Sequence, residues 1–141
     1  PRYKPCGGGV CPKVAEWFDY DFEPVISQKV TQVRYTYNLE DEVISELSEP
    51  IWMVRRDEFD HYMVQQAQKQ GAILQENTKA TGIEFKAGHW HISTSGEPVT
   101  GRYLIAADGA KGPLAKWLGF KQRKTVMAGA IETAPRLPVP F

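Results

Sequence analysis

An apolar run that ends in a carboxylate and a glycine is the first place in this chain to look for chemistry: Tyr103-Leu104-Ile105-Ala106-Ala107 leads straight into Asp108-Gly109. Read as a strand that breaks at Asp108-Gly109 and restarts as a short helix, the stretch sets an acid beside a helix amino terminus. Glycine lets backbone approach a phosphate with no Cβ in the way, and the unpaired N–H groups of a helix's first turn favour a negative ligand. Asp108 and Gly109 are therefore candidate nucleotide-binding residues. The bland alternative is an ordinary Asp-Gly turn that binds nothing.

Two further groups stand out. Pro5-Cys6-Gly7-Gly8-Gly9-Val10 puts three glycines in succession. Such backbone can take positive φ and lie flat against a planar or phosphorylated ligand, at an entropic cost that ordinary loops avoid. It is not a Walker-type phosphate loop, because no Gly-Lys-Ser/Thr follows. A flexible chain end is the competing reading. Arg55-Arg56 sits at the end of an apolar run and just before a helix, where a guanidinium reaches phosphate or ribose oxygens with help from the helix dipole; a solvated basic pair is the alternative. Asp60 reads as a first-turn acid favoured by that dipole.

Other chemistries fare worse. Lys4 and Cys6 could form a reactive pair, since a thiol beside a cation ionises more easily, although structural burial of the cysteine serves equally well. Cys6 and Cys11 are close enough in sequence for a small, strained disulfide. With His89 and His91 they match a two-Cys, two-His zinc set by residue type, but those histidines flank Trp90 in an alternating strand and read as solvent-facing. No metal site is expected. No Gly-x-Ser-x-Gly elbow supports acyl transfer.

The elements that must position these groups follow from periodicity. Pro12 to Asp19 reads as a short helix with Val14, Trp17 and Phe18 on one face. Val25 to Tyr37 reads as a strand, Asn38 to Glu42 as a turn, and Val43 to Leu47 as the returning strand, ended by Pro50 before Ile51 to Val54. Asp57 is expected to cap a helix with Phe59, Tyr62, Met63 and Ala67 on its apolar face, ending at Gly71. Ala72 to Leu74, Thr78 to Phe85, Trp90 to Ser93 and Glu97 to Ala107 read as strands, with Ala87-Gly88 as a hairpin turn. Thr125 to Thr133 is a last strand-like segment. The fold class is thus α/β in a mixed α+β sense, with the hairpin 26 to 47 and the tail strand in a second, antiparallel sheet.

The totals bound the rest. The chain has 141 residues, 42% hydrophobic and 24% charged, which suits one soluble globular unit with a core. Seventeen basic residues balance seventeen acidic ones, so no electrostatic case exists for nucleic acid. No apolar run approaches the ~20 residues needed to span a bilayer, and no signal peptide is evident, which makes the cytoplasm the expected location. Opening on Pro1 and closing in the proline-rich Pro135 to Phe141, the sequence reads as a piece of a longer protein.

Taken together, Tyr3-Lys4-Pro5-Cys6-Gly7-Gly8-Gly9, then Val54-Arg55-Arg56-Asp57-Glu58-Phe59-Asp60 opening a helix, then Leu104 to Ala110 around Asp108-Gly109, resemble the geranylgeranyl reductase family of FAD-dependent oxidoreductases. The resemblance implies a Rossmann-like FAD-binding domain (here 1–24 and 51–119) interleaved with an antiparallel substrate-binding sheet (25–50 and 120–141). It implies FAD as cofactor, with Cys6 and Gly7 to Gly9 beside the isoalloxazine ring, Cys6 being the catalytic candidate. Arg56 would bind the diphosphate or ribose side, Ala80 would meet adenine through its backbone, and Asp108 with Gly109 would order the diphosphate region. NADPH or ferredoxin would supply electrons, a polyprenyl chain or lipid would be the substrate, and the full-length protein would touch a membrane peripherally.

Two departures temper that pattern. Gly112 and Lys116 stand where the family usually has serine and arginine. The Gly-x-Gly-x-x-Gly unit and a later Gly-Asp segment would lie outside the sequence, so the fragment is expected to be inactive and to bind FAD weakly. An aromatic hydroxylase or halogenase of a sister family, and a non-enzymatic α+β binding module, are the alternatives.

Overall fold

The computed structural model describes residues 3–121, 126 and 129. They fall into two compact units, one running to Leu74 and one starting at Gln75, where composition alone suggested one.

In the first unit, β1 (Gly9–Val10), β2 (Gln28–Tyr37) and β3 (Asp41–Met53) form an antiparallel sheet in the order β1-β3-β2. The expected hairpin turn is present. Asn38 and Leu39 both take positive φ, 50° and 65°, and Glu40 N–H closes the turn on the Tyr37 carbonyl. This is the twist that suits a tight hairpin. Pro50, by contrast, does not end the strand; β3 runs through it to Met53. The register explains why. Val30 faces Ile51 but Gln32 faces Glu46, so the residues around Pro50 bulge out of the ladder with β2, and β1 pairs only with Trp52 and Met53. A missing N–H costs no ladder bond there.

Pro12–Trp17 and Glu23–Val25 are 3-10 helices, the first in place of the expected short helix. Between them lies the aromatic segment that makes the core. Phe22 is almost fully buried, with Val54 and Phe59 beside it and Tyr20, Trp52 and Met63 packed around them. Its ring stacks on Phe59 at 5.6 Å and meets Tyr20 at 5.0 Å and Trp52 at 6.0 Å. The Tyr62 hydroxyl donates to the Asp21 carbonyl, tying the helix to the same segment.

The long helix α1 (Arg56–Lys69) is capped two residues before the expected cap Asp57. Arg55, in extended conformation, is the N-cap without a side-chain capping bond, and Asp57 and Glu58, both paired with its guanidinium, serve the first turn as acids near the positive end of the dipole. Gly71 ends the helix as expected: at φ 91° it donates to Gln68 O while Ala72 N–H reaches back to Ala67 O, the double bond pattern of a left-handed cap. Ala72 to Leu74 is not a strand. No described strand pairs with it, and Ile73 is almost fully exposed.

The second unit holds β4 (Ala80–Lys86), β5 (His89–Thr94) and β6 (Val99–Gly101), antiparallel in that order, with Ala87 and Gly88 at positive φ in the predicted turn. Phe85 and Trp90 pair across the hairpin, ring centres 5.0 Å apart. The strand expected to run to Ala107 stops at Gly101. Gly101 faces Trp90, and β5 begins one residue away at His89, so the chain beyond Gly101 outruns its partner. Tyr103 and Ile105 are left exposed. The restart predicted after Asp108 is present as α2 (Leu114–Trp117), ended by Gly119 at φ 78°. The strand expected over Thr125 to Thr133 lies almost wholly outside the described residues. The architecture is thus mixed, with helices and two three-stranded antiparallel sheets.

Candidate functional site

Strand pairing carries Cys6 to Arg56. β1 runs antiparallel to the end of β3, Gly9 facing Met53, and Val54 N–H donates to the Gly8 carbonyl at 2.9 Å. The chain before Gly8 therefore runs beside the chain after Val54, where α1 begins. There the Cys6 sulfur accepts hydrogen bonds from the Gly8 backbone N–H and from the Arg56 guanidinium. These bonds, with the charges of Arg56 and Lys4, hold the exposed thiol below its ordinary value near 9.0, against a smaller opposing effect of burial.

Arg56 is itself gripped from behind. Its Nε and one terminal nitrogen donate to the two carboxylate oxygens of Asp60 at 2.8 and 3.0 Å, one helical turn along α1. Both side chains are about three-quarters buried. Asp60 first and Cys6 second keep the guanidinium protonated beyond its ordinary range. Asp60 thus does more than complement the dipole as a first-turn acid. The available signal was the i, i+4 spacing of Arg56 and Asp60.

The three glycines differ. Gly8 is buried at φ 77°, and a Cβ there would lie 2.2 Å from the Val54 carbonyl oxygen. Gly7 is exposed with nothing within 4 Å of its Cβ position, while Gly9 faces the Ile51 side chain at 3.7 Å. An open hollow of about 350 Å³ is lined by Gly9 to Pro12 and Glu49 to Ile51, so it takes Cys11 rather than Cys6.

The cysteines do not pair. Neither is in a disulfide, and both are exposed. Among the described residues no group of three or more His, Cys, Asp or Glu could hold a metal, and no helix is long and apolar enough to cross a membrane.

In the second unit, Ala80 opens β4, an edge strand, with a register shift just after it. Its backbone therefore lies on a sheet edge where the outer N–H and C=O groups have no ladder partner among the described strands. Asp108 turns onto its own chain: its Oδ2 accepts the Leu114 N–H at 2.9 Å, at the start of α2. Gly109 makes the turn at φ 80°, and Gly112 N–H closes on the Gly109 carbonyl. A Cβ on Gly112 would fall 2.0 Å from the Asp108 carboxylate. Glycine at that position, the departure noted above, is what lets the acid fold over the turn. Cys6 to Gly9 and Arg56 belong to the first unit, Ala80, Asp108 and Gly109 to the second.

In the first unit, Gly7 offers a Cβ-free, open surface beside a polarised sulfur and a held cation, which fits the approach of a planar ring such as a flavin's; in the second unit, β4 by itself offers backbone groups on an edge. The sequence matches the FAD binding domain family over residues 23–139, most of its length, and the chain belongs to that family. It is 30% identical over 124 residues to the uncharacterized protein Mbar_A1602 of Methanosarcina barkeri, covering 87% of this chain and 32% of that one. It is also 32% identical over 77 residues to digeranylgeranylglycerophospholipid reductase of Methanocaldococcus jannaschii, covering 52% of this chain and 20% of that one. The chain thus spans about a third and a fifth of these relatives. No solved structure matches. The chain is thus a member of the FAD binding domain family with a partial likeness to a protein named as a digeranylgeranylglycerophospholipid reductase.

Proposed function

We propose that the 141 residues form part of an FAD-dependent enzyme that reduces carbon–carbon double bonds of a geranylgeranyl or related polyprenyl group, with a glycerophospholipid carrying such chains as the substrate class. The observation that carries this reading is Cys6, held by Arg56 and Gly8 next to the open Gly7, in a chain related to a reductase of that name. Bound FAD, reduced by hydride from NADPH or by two single electrons from ferredoxin with a proton from solvent, would supply hydride to one carbon of the double bond, the other carbon taking a proton from solvent. Cys6 and Gly7 to Gly9 would lie along the ring. Arg56 would meet ribose or diphosphate oxygens with the donors that Asp60 and Cys6 leave open, Ala80 would meet adenine through its backbone, and Asp108 with Gly109 would order the turn nearest the diphosphate. The protein would work in the cytoplasm, reaching lipid substrate by peripheral membrane contact.

The test is flavin titration of the chain and of a protein extended to its relatives' length. Weak binding by the chain, a shifted flavin spectrum in the longer protein, and reduced geranylgeranyl lipid by mass spectrometry are the expected results. No spectral change in the longer protein would sink the flavoenzyme reading.

A further inference from the structure

We propose that Asp60 is a positioning residue for Cys6: by gripping one edge of the Arg56 guanidinium it aims the remaining donors at the sulfur. This deepens the reading above, and rests on it only for the placement of Cys6 beside the cofactor.

The guanidinium is a rigid planar fork of five N–H donors on a long, rotamer-rich stem. A single contact leaves it free to swivel. Two parallel bonds to one carboxylate, at 2.8 and 3.0 Å, fix the plane, and with it the direction of every donor that the carboxylate does not use. The pair is three-quarters buried, so water competes poorly for those donors. Asp60 and Arg56 both sit on the first turns of α1, and their spacing keeps the carboxylate behind the fork while Cys6 comes in along β1. The groups that favour the thiolate are the Gly8 N–H, Arg56 from α1 and Lys4 from the sulfur's own segment.

The sign of the effect separates positioning from plain electrostatics. A carboxylate acting as a nearby negative charge would repel a thiolate, and its removal would make Cys6 ionise more readily. A carboxylate that aims Arg56 does the opposite: its removal loosens the donor and makes the thiolate harder to form.

The experiment is the pH profile of Cys6 alkylation by iodoacetamide, in the full chain carrying Cys11→Ser so that one thiol reports, without flavin. Asp60→Asn should move the midpoint up and slow alkylation at neutral pH by about threefold or more, the effect of a half-unit rise. An unchanged or faster reaction would overturn the proposal. In an Arg56→Gln chain, Asp60→Asn should add nothing, and a further shift there would also overturn it. If Asp60→Asn loses the native circular dichroism spectrum, Asp60→Ser, too short to span both donors, takes its place with the same two outcomes. Because the readout needs no cofactor, a failed flavin titration with a moved profile would sink the oxidoreductase reading and leave the clamp standing.

Discussion

Gly8 and Val54 are locked together so closely that no side chain fits at the first. Val54 N–H donates to the Gly8 carbonyl at 2.9 Å, and a Cβ on Gly8, already at φ 77°, would lie 2.2 Å from the Val54 oxygen. Gly8→Ala should therefore cost about 3 kcal/mol, from backbone displacement plus the positive φ. Gly7→Ala meets open space and should stay within about 1 kcal/mol. Urea denaturation of both variants checks the contrast. Flavin titration then tells whether the tolerant glycine is the one a ligand needs bare.

Asp108 and Gly112 make a second coupled pair. Asp108→Ala removes the acceptor of the Leu114 N–H and should cost about 1 kcal/mol, the usual net worth of one such hydrogen bond. Gly112→Ser should mimic it, because the new Cβ would displace the carboxylate. Hydrogen exchange at the Leu114 amide is the readout: protection should fall in both variants, and unchanged protection in Gly112→Ser would contradict the account.

Phe22 is the hinge of the first unit's core, touching rings from the 3-10 segment, β3 and α1. Phe22→Ala should destabilise that unit by about 3–5 kcal/mol. Loss of near-ultraviolet circular dichroism from the aromatic cluster, ahead of changes at Trp90 in the other unit, would confirm that the two units lose structure separately.

Cys6 and Tyr20 should make opposite contributions to stability in alkaline solution. The folded state holds the Cys6 thiol below its ordinary value near 9.0, so its contribution is fully present above that value and is lost as pH falls through the folded one. Tyr20 works the other way. Burial, then Tyr62 and Asp19, raise its hydroxyl above 10.0, so its contribution is full below that value and drains as pH climbs through the raised one. Denaturation midpoints of the native chain and of Cys6→Ser across this range should differ in slope below pH 9 and agree in the fall above 10.

Much of the local structure was legible in the residues. Ala87-Gly88 turned where predicted because Gly88 takes positive φ cheaply, Ala87 adopting it against its own Cβ, and Gly71 ended α1 for the same reason as Gly88. Strand ends were less legible. Glu97 to Ala107 has the composition of one long strand, yet a strand lasts only while a neighbour does, and β5 stops beside Gly101. Pro50 failed as a terminator because a bulge had already taken its neighbours out of the ladder.

The sequence by itself determined the kinds of group in play: a thiol among glycines, a basic pair ahead of a helix, and an acid before a glycine turn. Those follow from residue type and short spacing, which local backbone preferences translate directly into turns and helix ends. Only the tertiary structure decided which of them meet. Arg56 is aimed at Cys6 because β1 pairs with the end of β3 and brings distant segments side by side, and because Asp60 holds the fork still. Such alignment depends on long-range pairing and burial, quantities that no window of sequence contains.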